Sequence, residues 1–442
     1  MTSFSRRSAM GLIAAIAGIS ASKGALALGS PVPAQDVLAN WCRLILELVR
    51  HTPTYSPPVA SRALGYIGVT AFEATASGSK TLRSLAGQLN GFTTVPPRDP
   101  AMAYDEAVVL QAALASSVRS YFPNTGPTGQ RAMTAMAVKM ASRVATGLPQ
   151  DVVSRSEAYG VAVAAHILQW SEDDGGAVVE NMGFPLEYTL NTGPSHWVPT
   201  SLVRQQQAPL LPNWGNNRPF AMPDGGSCPL PAPPDYSEDP ASVFYKEALE
   251  VFEVSKSLTD EQRLIARFWS DDPMLSPTPP GHWIAIAMQI VQRDGRDIET
   301  CVDVLARVGM AVSDAFIGCW NSKYQYDLLR PVTYIRRLMD PKWETLLITP
   351  PFPEYPSGHS TQSAAAATVL TALFGENFAF TDTTHQDDGL AGRPFASFWA
   401  AADEAGMSRL YGGIHFRAAI EQGLDQGRCI GAHVNALKTR VS

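Results

Sequence analysis

The chain has 442 residues, a formal net charge of −7, and 45% hydrophobic and 17% charged residues. This composition is typical of a globular protein with a large apolar core, and it excludes disorder of the bulk of the chain. It also gives no sign of the basic face that nucleic-acid binding needs, and any anion site must be locally cationic.

Residues 1–27 predict an export signal. Arg6-Arg7 precede an apolar stretch from Ala9 to Ile19, and Ala25-Leu26-Ala27 offers a small-residue cleavage site. The paired arginines favour the twin-arginine route to the periplasm or the outside of the cell, although the next residues lack the bulky apolar pair expected there. An ordinary secretory signal is the alternative. No stable membrane span is expected, because the apolar run is shorter than the ~20 residues that a span needs.

Apolar residues recur at helical spacing through most of the chain, which predicts an all-α fold of two packed helical bundles. Residues 28–171 would form the N-terminal half and residues 240–442 the C-terminal bundle. Residues 172–239 are rich in Pro, Gly and Asn and predict a long irregular connection. Asp151 and Thr259, the latter with Gln262 three residues on, are predicted helix N-caps. The predicted helical segments are 36–51, 61–76, 101–121, 130–146, 150–170, 241–256, 260–269, 282–293, 298–323, 360–374 and 416–438.

Five cysteines occur in the chain: Cys42, Cys228, Cys301, Cys319 and Cys429. They lack the spacing of a metal site. One or two disulfides would suit an exported protein, and the odd count leaves at least one cysteine unpaired within the chain. Cys319 and Cys429 lie in apolar helical patterns and are predicted to be buried structural cysteines.

Three groups of residues in the C-terminal half carry the chemistry of an oxyanion site: Lys323 with Arg330-Pro331, Pro356-Ser357-Gly358-His359, and Ser408-Arg409 with His415. Lys323, Arg330 and Arg409 supply three positive charges, which are costly to bury without a counter-anion. The planar fork of arginine suits a tetrahedral oxyanion, and lysine adds a point charge. Ser357 and Gly358 precede an alanine-rich helical segment, so they would offer a hydroxyl and a closely approaching N–H at a helix N-terminus.

Two histidines, His359 and His415, complete the set. One can act as a nucleophile or metal ligand and the other as a general acid/base. Each group alone is ordinary, because a lysine near an arginine, a Pro-Ser-Gly turn and a single histidine are all common. Together, their charges, hydroxyl and helix N-terminus point to a site that binds a tetrahedral oxyanion.

The order and spacing of the three groups resemble the signature of the superfamily that unites vanadium-dependent haloperoxidases with type-2 phosphatidic acid phosphatases and bacterial class A acid phosphatases, over roughly residues 269–433. The resemblance implies that His415 is the axial ligand of vanadium or, in a phosphatase, the nucleophile. It implies that His359 is the acid/base residue and that Lys323 also polarises bound peroxide. The residues that would hold the equatorial oxygens are Lys323, Arg330, Ser357, Gly358 and Arg409.

Features outside the pocket favour the haloperoxidase branch. A mature chain of about 415 residues suits two bundles. Trp320 and Phe352 resemble the halide-pocket aromatics of fungal-type vanadium chloroperoxidases. Asp272, with Asp271 behind it, resembles the aspartate that pairs with the arginine of the third group, here Arg409. The resemblance thus implies a chloro- or bromoperoxidase that contains vanadate and no haem or flavin.

The implied reaction is the oxidation of halide by hydrogen peroxide to hypohalous acid, with a small organic acceptor as a further partner. A phosphomonoesterase working through a phosphohistidine is the alternative. A non-catalytic phosphate-binding protein is a third interpretation, and the pair of histidines argues against it. The halide, the acceptor and the oligomeric state stay open.

Several residues also have a simpler structural interpretation. Trp320 and Phe352 would serve equally as core aromatics. His282 is interpreted as a packed residue at a helix start, and His385 and His433 as surface or packing residues. The acidic pair at 387–388 is interpreted as a solvated loop pair. The acidic pair at 271–272 would be a solvated pair at a helix end if it had no partner.

Overall fold

The computed structural model describes residues 32–177, 188–200, 208–272 and 274–441. Within these ranges the chain forms thirteen α-helices and one two-stranded sheet, which confirms the all-α prediction. No helix in the described ranges is long and apolar enough to cross a membrane. The predicted export signal, residues 1–27, lies outside the described residues.

The helices run through both halves of the chain. The N-terminal helices are α1 (Ala34–Arg50), α2 (Pro57–Ala76), α3 (Glu106–Tyr121), α4 (Pro127–Val144) and α5 (Gln150–Ser171). The C-terminal helices are α6 (Val243–Lys256), α7 (Asp260–Phe268), α8 (Thr278–Arg293), α9 (Ile298–Tyr326), α10 (Pro331–Leu338), α11 (Gly358–Phe374), α12 (Phe398–Tyr411) and α13 (Arg417–Asn435). An antiparallel pair, β1 (Phe380–Asp382) and β2 (Arg393–Phe395), lies between α11 and α12.

Local patterns located most helices but not all their ends. Thr259 and Gln262 form the predicted capping box at the start of α7. Asp151 is not an N-cap, because α5 begins one residue earlier, after Pro149. Helices α10 and α12 were not predicted. Helix α10 has only 8 residues, and α12 is rich in alanine, so neither shows a long amphipathic stripe.

Helix α2 packs along α9 and joins the two halves. A β-carbon built on Gly68 would lie 3.0 Å from the Ala306 Cα, and one on Gly309 would lie 2.9 Å from the Leu64 carbonyl oxygen. The missing side chains therefore let the two backbones approach closely. One continuous apolar cluster contains buried residues from Val32 to Leu437, so the two halves share a core.

A second close helix pair, α11 and α13, positions the candidate site. Three glycines of α13 at four-residue spacing face α11, and a β-carbon on Gly427 would lie 2.1 Å from the Thr361 carbonyl oxygen. The Ser357 N–H donates to the Ala419 carbonyl at 2.9 Å. The beginnings of α11 and α13, which carry Ser357 and His415, therefore lie side by side.

The cysteine prediction was half right. Cys319 is buried and unpaired, as are Cys42 and Cys301. Cys429 instead forms a disulfide with Cys228, at a sequence separation of 201 residues. Its partner comes from the irregular connection, which carries no periodic pattern, so helical spacing alone could not reveal the pair.

Candidate oxyanion site

The seven predicted residues meet at the ends of five helices. They are Lys323 in the last turn of α9, Arg330 at the N-cap of α10, Ser357, Gly358 and His359 at the start of α11, Arg409 in the last turn of α12, and His415 just before α13. Gly358 and His359 are partly exposed, and the other five are buried. The pocket therefore opens to solvent on the side of His359.

Lys323 is fully buried and held by backbone oxygens. Its Nζ donates to the carbonyls of Pro353 and Glu354 at 2.9 Å each, and also to the carbonyl of Pro356. These contacts fix the ammonium against the segment that leads into α11. Burial, together with the nearby charge of Arg330, lowers the Lys323 pKa to about 7. A bound anion would relieve this cost and keep the lysine charged.

The two arginines are also fixed by backbone contacts. Arg330 donates through Nε to the Phe352 carbonyl at 3.0 Å and through Nη1 to the Ile414 carbonyl at 2.9 Å. Arg409 donates to Ser408 Oγ at 2.9 Å and to the Trp269 carbonyl. Burial lowers the pKa of each guanidinium to about 10, so both stay charged at neutral pH.

His415 is oriented by a carboxylate that sequence analysis missed. Its Nδ1 donates to Glu354 Oε1 at 2.8 Å, and the Phe416 N–H donates to the same oxygen at 2.8 Å. Because Nδ1 carries the proton, Nε2 keeps its lone pair, which accepts from Arg330 Nη1 at 3.0 Å. A carboxylate behind a histidine in this way is typical of metal-ligating imidazoles.

The charged groups of the pocket also affect the protonation of His415. Burial lowers the His415 pKa well below its ordinary value, and the positive charges of Arg330, Lys323 and Arg409 lower it further. The imidazole is therefore neutral, which is the form that binds a metal. Burial raises the Glu354 pKa to about 8, against the opposing effect of Arg330 and Lys323.

The start of α11 supplies the remaining donors. Ser357 is the N-cap, and its Oγ accepts from the Ser360 N–H at 3.3 Å. The first N–H groups of a helix have no partner within the helix, so those of Gly358 and His359 are available to an anion. His359 Nε2 is buried without a hydrogen-bond partner among the described residues. Burial and the charge of Arg409 lower the His359 pKa well below its ordinary value, so this imidazole is neutral too.

The aromatic side chains predicted for a halide pocket line the cationic site. Trp320 and Phe352 pack with ring centroids 4.8 Å apart. The Lys323 Nζ lies 5.1 Å from the Phe352 ring centroid, and the Arg330 guanidinium carbon lies 5.0 Å from it. Trp320 is buried and donates its indole N–H to the Leu210 carbonyl at 3.1 Å. Phe352 is partly exposed, so it forms a wall of the mouth.

The predicted ion pair between Asp272 and Arg409 is not formed. Among the described residues, neither Asp272 nor Asp271 forms an ion pair within 4.0 Å of the Arg409 guanidinium. Both carboxylates act on Arg409 through space and raise its pKa, against the larger lowering effect of burial. Asp272 is half-buried. Asp271 is buried and contacts three histidines instead, among them His359, whose Nε2 lies 3.9 Å from Asp271 Oδ2. The histidines hold Asp271 away from the arginine.

One feature of the sequence could have identified Glu354 as a residue of the site. It is a lone carboxylate in the proline-rich apolar segment 350–356, where burial of a charge requires a partner. The histidines that contact Asp271 left no comparable signal. His282 is buried at the start of α8, as predicted, but it is paired with carboxylates. His385 is buried and paired as well, and Asp388 of the supposed solvated pair contacts both His385 and Arg50.

The donor set fits a tetrahedral oxyanion with a metal centre. Arg330 and Lys323 lie around one acidic group, Glu354, whose pKa is raised to about 8, so this part of the pocket carries an excess of positive charge at neutral pH. Arg330 Nη2 and His359 Nε2 are buried without partners in the described part of the chain. Buried polar nitrogens of this kind are costly unless a ligand pairs with them. An oxyanion would supply both the charge and the acceptors, and His415 Nε2 offers a lone pair to its central atom.

Comparisons with known proteins agree with this geometry. Residues 303–441 match the family model of the VCPO second helical-bundle domain. Two structures of a bacterial vanadium-dependent chloroperoxidase, holo and apo, are similar at TM-scores of 0.67 and 0.66 with 16% identity, and cover 86% and 87% of this chain and 91% and 94% of theirs. These two show a common fold. No curated protein matches the sequence.

One similarity extends through nearly the whole chain. The crystal structure described as the first bacterial vanadium-dependent iodoperoxidase is 36% identical in sequence, with a TM-score of 0.85. The match covers 92% of this chain and 98% of that one. With this identity and coverage, and with an oxyanion pocket built around His415, the chain belongs to the vanadium-dependent haloperoxidases.

Proposed function

We propose that the protein binds vanadate in this pocket and oxidises halide, iodide first, with hydrogen peroxide to hypohalous acid. The observation that carries the proposal is the His415 imidazole. Its Nδ1 is engaged by Glu354 and its Nε2 lone pair faces three buried cations. A site for a neutral ligand would not need this charge.

The residues that would hold the cofactor follow from their positions around the pocket, and the anion would replace the hydrogen bond between Arg330 Nη1 and His415 Nε2. His415 Nε2 would bind vanadium, while the cationic side chains and the N–H groups at the start of α11 would bind the oxygens. Bound vanadate supplies a Lewis acid that activates hydrogen peroxide for attack by halide. The neutral His359 imidazole can accept a proton from peroxide and later return it. Lys323 withdraws charge from the activated oxygen, since its ammonium is fixed and cannot reorient.

Two observations support iodide as the preferred halide. The structure with 36% identity is described as an iodoperoxidase, and its match covers 92% of this chain. In addition, the Trp320 indole N–H is bound to the Leu210 carbonyl and is not free to hydrogen-bond in the pocket. Iodide is the most easily oxidised of the three common halides, so it needs the least activation of peroxide.

Halogenation assays with chloride, bromide and iodide test the proposal. The full chain is depleted of vanadate, and activity is measured with and without added vanadate and peroxide. We expect vanadate-dependent turnover that is fastest with iodide. Rapid hydrolysis of p-nitrophenyl phosphate without halogenation would instead identify a phosphomonoesterase, and chloride turnover equal to iodide turnover would refute the halide preference.

We also propose that the protein is exported by the twin-arginine route. The Cys228–Cys429 disulfide supports an oxidising compartment, because disulfides persist mainly in exported proteins. Replacing both arginines of the signal, Arg6→Lys with Arg7→Lys, should retain the protein inside the cell, as fractionation and immunoblotting would reveal. Normal export of this double variant would favour the ordinary secretory route.

A further inference from the structure

Beside the oxyanion pocket lies a second buried cluster, made of Asp271, His282 and His385. His282 Nδ1 lies 3.0 Å from Asp271 Oδ1, and His385 Nε2 lies 3.3 Å from the same oxygen. The ligand-type atoms of the three side chains all lie within 4.8 Å of one another, and all three residues are buried. Two imidazole nitrogens and a carboxylate are ligands that suit a divalent transition metal.

Each histidine of this cluster has a carboxylate behind its other nitrogen. His282 Nε2 lies 2.7 Å from Asp382 Oδ2, and His385 Nδ1 lies 3.1 Å from Asp388 Oδ2. Such outer carboxylates fix the ring orientation of metal-ligating histidines and raise their basicity. The arrangement thus occurs twice. Asp271 lies between His282 Nδ1 and His385 Nε2, the two inner nitrogens of the cluster.

The inner nitrogen of His385 lacks a satisfied hydrogen bond. The His385 side chain is 6% exposed, and its Nε2 has no hydrogen-bond partner among the described residues, although it is 3.3 Å from Asp271. The distance is short enough, so the failure is one of angle. A nitrogen near a carboxylate oxygen but not aligned with it is the geometry that two ligands of one ion adopt.

The net charge of the groups in contact within the cluster is suited to a divalent cation. Asp271, Asp382 and Asp388 are three carboxylates, and Arg50, which pairs with Asp388 at 2.6 Å, is the cation that partners them. With both imidazoles neutral, two negative charges remain. Protons on the histidines can balance them: burial alone would lower the His282 pKa, but Asp271 and Asp382 outweigh it and raise the pKa to about 10. A divalent metal would replace these protons.

We propose that Asp271, His282 and His385 bind a zinc ion, a site separate from the vanadate pocket and beyond the haloperoxidase function. Three protein ligands are the number found in zinc sites that keep a fourth position open. The ion would join the segment after α7, the start of α8 and the turn after β1. It would also hold Asp271 next to His359, whose Nε2 is 3.9 Å from that carboxylate.

Metal titration of the full, vanadate-free chain tests the proposal. After chelator treatment, zinc is titrated by calorimetry, and cobalt is added as a visible probe of tetrahedral nitrogen and oxygen ligation. We expect one ion per chain and a rise in melting temperature with zinc. His385→Ala should weaken binding by more than the roughly 10- to 100-fold that removal of an outer carboxylate causes.

Two further variants make the test specific. His433→Ala is the matched control, since His433 is near the Cys228–Cys429 pair, the other group of ligand-type side chains among the described residues. Its zinc binding should equal that of the wild type. Asp388→Asn, at a partly exposed position, should weaken zinc about 10- to 100-fold and serves if His385→Ala does not fold. The proposed site would be overturned if zinc did not bind at one ion per chain, or if zinc affinity were unchanged in both cluster variants. The test measures zinc binding and not halogenation, so its result is independent of the proposed function.

Discussion

The His415→Ala variant is expected to lose vanadate-dependent halogenation completely. The substitution removes Nε2, the lone pair proposed to bind vanadium, and leaves Arg330 Nη1 without its 3.0 Å partner. It also removes the imidazole that donates to Glu354, although the Phe416 N–H still donates to the same oxygen. Activity is measured with iodide and peroxide across a range of vanadate concentrations, with circular dichroism as a check on folding. Peroxide-dependent halogenation retained in this variant would refute the site.

Glu354→Gln provides a graded companion to that variant. The amide can still accept from the Phe416 N–H, but its oxygen is a weaker acceptor for the proton on Nδ1 of His415 than an ionised carboxyl group. We expect vanadate affinity to fall by about 10- to 100-fold, which is usual for loss of a carboxylate behind a ligating histidine. Turnover at saturating vanadate should recover most of the wild-type value. Unchanged affinity would mean that Glu354 acts only in packing.

The second large effect is expected for His359→Ala, where turnover should fall by about 10²- to 10⁴-fold, the usual contribution of a general acid/base. The His359 side chain is 17% exposed and its Nε2 has no hydrogen-bond partner in the described ranges, so its removal costs that atom only the 3.9 Å approach to Asp271. Vanadate affinity should change little, because the cationic side chains and His415 remain in place.

A comparison of vanadate affinity with turnover distinguishes the roles of His359 and His415. In His359→Ala the loss should appear in kcat at saturating vanadate, whereas in His415→Ala no vanadate concentration should restore activity. Both constants are obtained from vanadate titrations followed by iodide oxidation. A His359→Ala variant with turnover within about twofold of the wild type would remove His359 from the chemistry.

Local sequence was sufficient to locate most of the helices and the seven residues predicted for the pocket. Helical periodicity depends on neighbours three and four residues apart, so the pattern located most helices, and the capping box at Thr259 needs only four consecutive residues. The three groups, which end in Arg330-Pro331, His359 and His415, are short motifs whose internal spacing is local. Helices α10 and α12 were missed because α10 spans only 8 residues, too few for a repeated pattern, and α12 is rich in alanine and has a weak apolar stripe.

Only the tertiary structure decided how charged groups pair across the fold. Glu354 contacts His415 from 61 residues away, and Asp271 turns from Arg409 to His282 and His385. Cys429 joins Cys228, although the helical pattern around it predicted only a buried structural cysteine and indicated no partner. The physical reason is that a buried charge or thiol takes whichever partner packing brings within about 3 Å, and that partner has no fixed spacing in the chain. The sequence by itself determined the cations and histidines of the site, and the fold determined which carboxylates orient them.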